Sequence, residues 1–488
     1  MISLHSKGTY QLFVGNPDQE QEIDFTVDKD EQVIIPPGSW VSVKVKLDSK
    51  NLSFETSGQT YLAAPCFLGD RRPETTNILL ISVDTLRADY FTKEHMPLCF
   101  SFFEEGAVFT RAYSPVPWTL PAHASLFTSL YPATHSVRKP EHKLKPELDT
   151  LADKLANNGY YCLAVTEGNY LDPMYGMAQG FHEYHSVPPK LSSADPEEAS
   201  KLSDNIHTMN TFLTQQVIPD HLPLFVFFHT YEVHCPFIPR QGETALNGIG
   251  TTQWLLDHEL NGFTASDVVK LKQLYASEVA YTDTLIHDFI SKLDPEKWTI
   301  VLMSDHGEEF GEHGGLLHAD TLFEEVLRVP IAMKGPTIQK ATISNPTSLL
   351  DIAPTLLALV TPDIPKSWQG HDLLSESGFA SNDKERILFS ETFFLGPHIP
   401  SKDPRILGFT KGVKKLIQKR NHGEFEAWYF NLSQDPEEKT NLLNTQEAEV
   451  ARFYPLLEAY SNNKQESLNA GEMSEEQREV MRSLGYIE

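Results

Sequence analysis

From Asn77 onward the chain alternates apolar, β-rich runs with helical segments, and this alternation limits the fold more than any other feature. It opens with Ile78-Leu79-Leu80-Ile81-Ser82-Val83, a run without the polar alternation of a half-exposed strand. Such a run suits a strand buried on both faces, as in a parallel sheet covered by helices. The unit then repeats. A helical pattern over 147–158 stops at Gly159 before the strand 160–165, a helix over 198–217 precedes the strand 224–228, and a helix over 265–293 precedes the strand 298–303. These segments predict an α/β fold with a large, mostly parallel central sheet, in which ligands gather beyond the carboxyl ends of the strands.

The two ends of the chain read differently. Residues 1–75 carry short alternating stretches such as Tyr10-Gln11-Leu12-Phe13-Val14 and 40–47, punctuated by Asn16-Pro17 and Pro36-Pro37-Gly38. They predict a small β-rich, sandwich-like domain used for packing or recognition, with Gly69-Asp70-Arg71-Arg72-Pro73 as linker. Residues 76–488 are then the main domain. From about 385 to 488 come shorter strands (386–392, 406–417, 425–430) and helices near 445–462 and 474–484, a small antiparallel α+β subdomain. Ser474 and Gln477 form a capping-box pattern ahead of Val480, Met481 and Leu484, which predicts a terminal helix docked on the body or on a second copy in a homo-oligomer.

Composition narrows the function. Lys+Arg number 40 against 67 Asp+Glu, a formal charge of −27, which argues against a nucleic-acid polymer as partner. Cys66, Cys99, Cys162 and Cys235 lack CxxC spacing, so neither a zinc knuckle nor a redox motif is visible. The N-terminus lacks an apolar signal region, and Ile78–Val83 is too short to cross about 30 Å of hydrocarbon. The expectation is a cytoplasmic protein without a transmembrane segment.

Three distant segments place polar groups where an apolar run stops. Asp84 directly follows the first strand, where a carboxylate is costly to bury unless it meets a cation or several donors. Asp305-His306-Gly307 repeats that arrangement after the strand 298–303, and its carboxylate and imidazole can turn toward one ion. Thr119 stands just before a helix expected to begin near Pro121, whose unpaired N–H groups favour an anionic substrate. A free hydroxyl is a poor nucleophile at neutral pH, and coordination to a divalent ion offsets that. Asp84, Thr119, Asp305 and His306 are therefore the expected metal ligands, with Thr119 also the nucleophile.

The combined pattern Val83-Asp84-Thr85-Leu86-Arg87-Ala88-Asp89, Pro117-Trp118-Thr119-Leu120-Pro121-Ala122-His123-Ala124-Ser125-Leu126-Phe127-Thr128 and Ser304-Asp305-His306-Gly307-Glu308-Glu309-Phe310-Gly311-Glu312-His313-Gly314 resembles the sulfatase family of the alkaline phosphatase superfamily. Gly180-Phe181-His182-Glu183-Tyr184, Leu327-Arg328-Val329-Pro330, Asp351-Ile352-Ala353-Pro354-Thr355-Leu356 and Leu484-Gly485-Tyr486 extend the likeness in family order, from about 77 to 488. The resemblance implies an alkaline-phosphatase-like sandwich and a metal-dependent hydrolase or transferase acting on a small anionic ester.

Two departures from the family pattern shape the expected chemistry. Sulfatases carry Cys or Ser at the nucleophile position and oxidise it to formylglycine, whereas this chain has Thr119, with His123 in place of the family's Arg. Oxidation of a secondary alcohol gives a ketone rather than an aldehyde. Superfamily members that keep threonine attack phosphorus and form a phospho-threonine intermediate, so the resemblance favours phosphorus esters. With neither a second ion nor extra cationic side chains identified to offset a monoester's greater charge, phosphodiesters or phosphonate esters are expected. Asp84 is followed by Thr85 where sulfatases have a second Asp, which weakens the case for Ca²⁺ and favours Mn²⁺ or Zn²⁺, with Mg²⁺ as a further option. Asp283 and His287 have the spacing of a second metal's ligands but lie in a helical stretch, so one ion is expected.

His234 resembles the family's substrate-side histidine, and His318 falls near a position where many sulfatases have Lys. Either imidazole could hold the transferred group's oxygens or protonate the leaving alcohol. His123 is expected to orient Thr119 or contact the anion. Arg87 and Asp89 form an expected structural pair, and Glu308, Glu309, Glu312 and His313 an expected loop bridge. The competing readings are a sulfuric ester hydrolase and a non-catalytic sulfatase-like protein that binds an anion or glycan.

Overall fold

The computed structural model describes residues 75–187, 201–214, 222–240, 248–374, 385–394, 405–421, 424–462, 466–471 and 473–483, together with the strands Ile2–Ser3, Gly8–Gly15, Glu22–Val27, Trp40–Leu47, Asn51–Leu52, Tyr61–Leu62 and Cys66–Leu68. Asn77–Val83 lies inside a nine-stranded sheet. Leu224–Thr230, Tyr161–Thr166 and Glu183–Ser186 extend it on one side, all parallel. Trp298–Met303 pairs with it in parallel on the other. Arg328–Lys334 follows as an antiparallel strand, next to Ala107–Tyr113, which carries Ala341–Ile343 and Thr347–Ser348 on its far edge.

Residue alternation along the central strand explains why its sequence has no polar face. Ile78 and Leu80 enter one hydrophobic cluster, with Phe225, Phe227 and Leu126, while Leu79, Ile81 and Val83 enter a second with Phe228, Tyr275 and Ile286. Successive side chains point to opposite faces, and both faces are covered by helices. Full burial of each such side chain contributes about 1.5–3 kcal/mol. Leu151–Asn157 and Ala265–Ile290 are the helices expected over 147–158 and 265–293, each shorter than its sequence pattern, and Lys201–Thr214 lies within the helix expected over 198–217, whose ends fall outside the described residues.

Near the C-terminus, Ile387–Thr392, Arg405–Lys411, Lys414–Asn421 and Glu424–Asn431 form an antiparallel four-stranded meander. The single strand expected over 406–417 is thus two strands of a hairpin, because Gly412 takes a left-handed φ of 57° and reverses the chain. Ser474 and Gln477 cap each other's backbone N–H groups as expected, and Met481 packs into the main core, so helix Glu475–Ser483 docks on the body. Val480 and Leu484 lie outside the residues whose side chains are described.

At the N-terminus, Gly8–Gly15 pairs antiparallel with Trp40–Leu47, Tyr61–Leu62 and Cys66–Leu68, and Glu22–Val27 pairs with Trp40–Leu47 in parallel. Sandwich packing there and the linker at 69–73 lie outside the described residues. Among the described residues, no helix is long and apolar enough to cross a membrane.

One buried ion pair fastens the meander's first strand to the body. Arg386 donates from both terminal nitrogens to Asp351, at 2.7 Å each, and Asp351 also accepts from the backbone of Ser348 and His371. Arg386→Ala leaves a buried carboxylate without its cation and is expected to cost about 3–5 kcal/mol in urea unfolding of the whole chain. An unchanged midpoint would show that the pair carries no such weight.

Candidate active site

Strand register brings the distant polar segments together. Ser82 sits opposite His229 on one neighbouring strand and Met303 on the other, so Asp84 lies between His229-Thr230 and Ser304-Asp305-His306 at the carboxyl edge of the sheet. Asp84 is anchored by its own N–H, which donates to the Thr230 carbonyl at 3.0 Å. Thr85 has a left-handed φ of 56°, a conformation that costs a β-branched residue roughly 1–3 kcal/mol. Its hydroxyl donates to the Val233 carbonyl, so the side chain replacing the family's second Asp is tied to the neighbouring loop. Gly307 is required by close approach, since a Cβ there would meet the Glu325 carbonyl oxygen at 2.0 Å.

Thr119 is the first residue of a ten-residue helix, Thr119–Thr128, with Trp118 as N-cap. The helix begins two residues before the expected Pro121, which is tolerated in the first turn because its missing N–H has no intrahelical partner. Thr119 Oγ1 donates to Asp84 Oδ2 at 3.1 Å and lies 3.5 Å from His306 Nε2. His306 Nδ1 lies 2.9 Å from the Gly307 carbonyl oxygen, which assigns the proton to Nδ1 and leaves the Nε2 lone pair facing inward. Burial lowers the His306 pKa to about 3, so the ring is neutral.

The inner edge of this site fits a cation. Asp84, Asp305 and His306 each offer a buried ligand atom, all within 4.8 Å of one another. His306 Nε2 is 3.4 Å from Asp305 Oδ2 and 3.7 Å from Asp84 Oδ1, and Asp305 Oδ2 accepts no hydrogen bond among the described residues. Burial, reinforced by the charge of Asp84, pushes the Asp305 carboxyl well above its ordinary range. Converging lone pairs in a site closed to water are costly unless a positive ion joins them. A divalent ion bound by these residues would stabilise the Thr119 alkoxide and the charge of an anionic ester.

The other expected site residues fall in two layers. His234 and His318 sit beside the cluster: the His318 ring is 4.4 Å from that of His306 and 5.1 Å from that of His234. His318 Nδ1 is held 3.1 Å from Glu308 Oε1, and left-handed residues Leu317 and Ala319 flank it. His123 lies beneath the helix turn, with Nδ1 2.9 Å from the Thr119 carbonyl oxygen and Nε2 3.0 Å from Ser82 Oγ. Of the two roles expected for His123, this geometry suits orienting the Thr119 turn.

Asp283 and His287 do not join the site. Asp283 accepts the N–H groups of Leu98 and Cys99 at the start of helix Pro97–Phe103, a capping role. Arg87 grips Asp89 through two hydrogen bonds and also binds the Glu308 carbonyl and Glu312, joining the Asp84 loop to the Asp305 loop. His229 is the residue that sequence reasoning passed over. Its Nε2 lies 3.3 Å from Asp84 Oδ2, and it is the penultimate residue of the apolar strand Leu224–Thr230.

Beyond His318, Asp320 lines a cavity of about 420 Å³ with Phe323, Lys419, Glu426 and Trp428. Burial, then the charges of Glu259 and Glu309, raise Asp320 to about 7. The folded state therefore holds this proton more tightly than the unfolded chain, whose Asp titrates near 4. Stability contributed by the protonated carboxyl falls as pH rises from about 4 to about 7. Asp320→Asn should flatten that part of the pH dependence in denaturation curves taken between about pH 4 and about pH 8; an identical slope in both proteins would contradict the assignment.

The site thus sets a hydroxyl at a helix head against a buried two-carboxylate, one-imidazole cluster on the carboxyl edge of the sheet. The Sulfatase family model matches residues 76–362, more than half of the chain, and the chain belongs to that family. It is 28% identical to human Arylsulfatase K over 196 residues, 37% of this chain and 35% of that protein. It is 26% identical to the Ulvan-active sulfatase of Formosa agariphila over 382 residues, 71% of this chain and 72% of that one. The match thus spans about a third of Arylsulfatase K. Among solved structures, a putative sulfatase from Bacteroides thetaiotaomicron superposes with a TM-score of 0.66 at 17% identity, covering 83% of this chain and 96% of that one. The phosphonate monoester hydrolase SpPMH from Silicibacter pomeroyi gives 0.64 at 17% identity, covering 80% and 96%.

Proposed function

We propose that this sulfatase-family hydrolase cleaves singly charged esters, phosphodiesters or phosphonate monoesters, through covalent attack by Thr119. The observation that carries the reading is the secondary hydroxyl of Thr119, hydrogen-bonded to Asp84 beside the Asp305–His306 pair. Oγ1 forms the new bond to phosphorus as the bond to the leaving group breaks and its electron pair departs on the leaving oxygen, which takes a proton from solvent, while Asp84 Oδ2 is placed to accept the Thr119 hydroxyl proton. Water or an acceptor alcohol then displaces Oγ1 from phosphorus. His234 and His318 supply imidazoles next to the cluster for the oxygens of the transferred group.

Charge supports a monoanionic substrate. The polar side chains seen to meet Asp84, Thr119, Asp305 and His306 include His123, His229, His318 and Tyr231, a set dominated by imidazoles. Burial holds His123 well below its ordinary pKa and lowers His229 and His318 to about 3. One divalent ion then offers little further positive charge for a dianionic monoester. The mixed oxygen and nitrogen ligand set favours Mn²⁺ or Zn²⁺ over Ca²⁺.

Sulfate esters are also monoanionic, and the named relatives favour them, since both Arylsulfatase K and the Ulvan-active sulfatase are sulfatases by name. A panel of aryl phosphate mono- and diesters, phosphonates and sulfates, assayed with Mn²⁺, Zn²⁺, Mg²⁺ or Ca²⁺, separates the readings. Turnover of diesters or phosphonates above monoesters and sulfates is expected. Turnover confined to sulfates would replace the first reading with the second.

A further inference from the structure

His229 is buried completely at the end of the strand beside Asp84, and its surroundings leave its ring little choice of role. Nε2 faces Asp84 Oδ2 at 3.3 Å, while Nδ1 is buried with no hydrogen-bond partner among the described residues. A carboxylate can only accept from a neutral imidazole, so the proton belongs on Nε2. Tyr231 and His123 wall the ring in edge-to-face at 4.6 and 5.3 Å, fixing its plane. Asp84 Oδ2 thus receives two donors from opposite elements, Thr119 Oγ1 and His229 Nε2, while Oδ1 is the oxygen nearer His306. His229 itself does not belong to the three-residue ligand cluster.

We infer that His229 is a positioning residue of the metal centre, clamping the Asp84 carboxylate so that one oxygen holds the Thr119 hydroxyl and the other points at the cation. The inference rests on the ligand role of Asp84 and not on the identity of the ester. Hydrogen-bonded partners of metal-binding carboxylates typically change metal affinity by about 10–100-fold when removed. Glutamine places an amide N–H close to the position of Nε2, whereas leucine fills the volume without a donor.

The test is Mn²⁺ and Zn²⁺ affinity of the purified full chain, measured by competition with a chromophoric chelator. His229→Leu is expected to weaken binding about 10–100-fold and His229→Gln to restore most of it. In an Asp84→Asn background His229→Leu should have almost no further effect, because the group it clamps has gone. Wild-type affinity in His229→Leu, or equal losses in the Leu and Gln variants, would overturn the assignment and leave His229 as packing. If His229→Leu does not fold, the decision passes to His229→Gln: near-normal affinity supports the clamp, and loss of affinity in a folded protein contradicts it. Wild-type metal affinity in Asp84→Asn would instead remove the ligand assignment on which the inference rests.

Discussion

Thr119→Ala is expected to lower turnover of the best ester substrate by about 10³-fold or more while the protein keeps its fold and its metal. The oxygen removed is the Thr119 atom that meets Asp84 and His306, at 3.1 and 3.5 Å. Asp84, Asp305 and His306 remain to hold the ion. Thr119→Ser restores an oxygen at the same place and is expected to retain turnover, although it also creates the residue that formylglycine-forming sulfatases begin from. Peptide mass analysis of that variant separates the two routes. Kinetics of the Ala variant, with metal content measured in parallel, check the claim; near-normal turnover would remove Thr119 from the chemistry.

The second large effect is expected at Asp305. Asp305→Asn keeps the shape but removes one of the two carboxylates that meet at the sheet edge, so both bound metal and turnover should be lost, again by about 10³-fold or more in rate. The same variant without metal should unfold no more easily than the metal-free wild type. Bringing Asp305 and Asp84 together in a dry site opposes folding until a cation joins them, as the raised proton affinity of Asp305 indicates. Elemental analysis and thermal unfolding of both proteins, with and without metal, make the comparison. Full metal occupancy in Asp305→Asn would show that the ion is held elsewhere.

Much of the site was legible because Asp84 and Asp305-His306 follow runs that could only be buried strands, and a carboxylate in that place demands compensation. Thr119 was legible through its helix and its motif. His229 obeys the same strand-end rule, yet its importance depends on which strand lies beside Asn77–Val83, and sheet order is a long-range property that local pattern does not encode. The link between Glu308 and His318 is hidden for a similar reason, since left-handed residues on either side of His318 present its ring to the cluster. In the meander, the alternating run over 406–417 masked a reversal that rests on the backbone freedom of Gly412. The double-sided core was plain from Ile78–Val83, because each successive side chain had to be apolar or small to enter one of two packed faces.

Covalent trapping tests the central claim most directly. The purified enzyme, loaded with Mn²⁺ or Zn²⁺, is mixed with an aryl phosphodiester or phosphonate monoester and quenched in acid within the first turnover. Intact-mass and peptide analysis then locate any adduct. The expected result is a phosphoryl or phosphonyl group on the peptide containing Thr119, absent from Thr119→Ala. An adduct on another residue would contradict a Thr119-centred mechanism, as would demonstrated single-turnover cleavage with Thr119 still unmodified at every quench time.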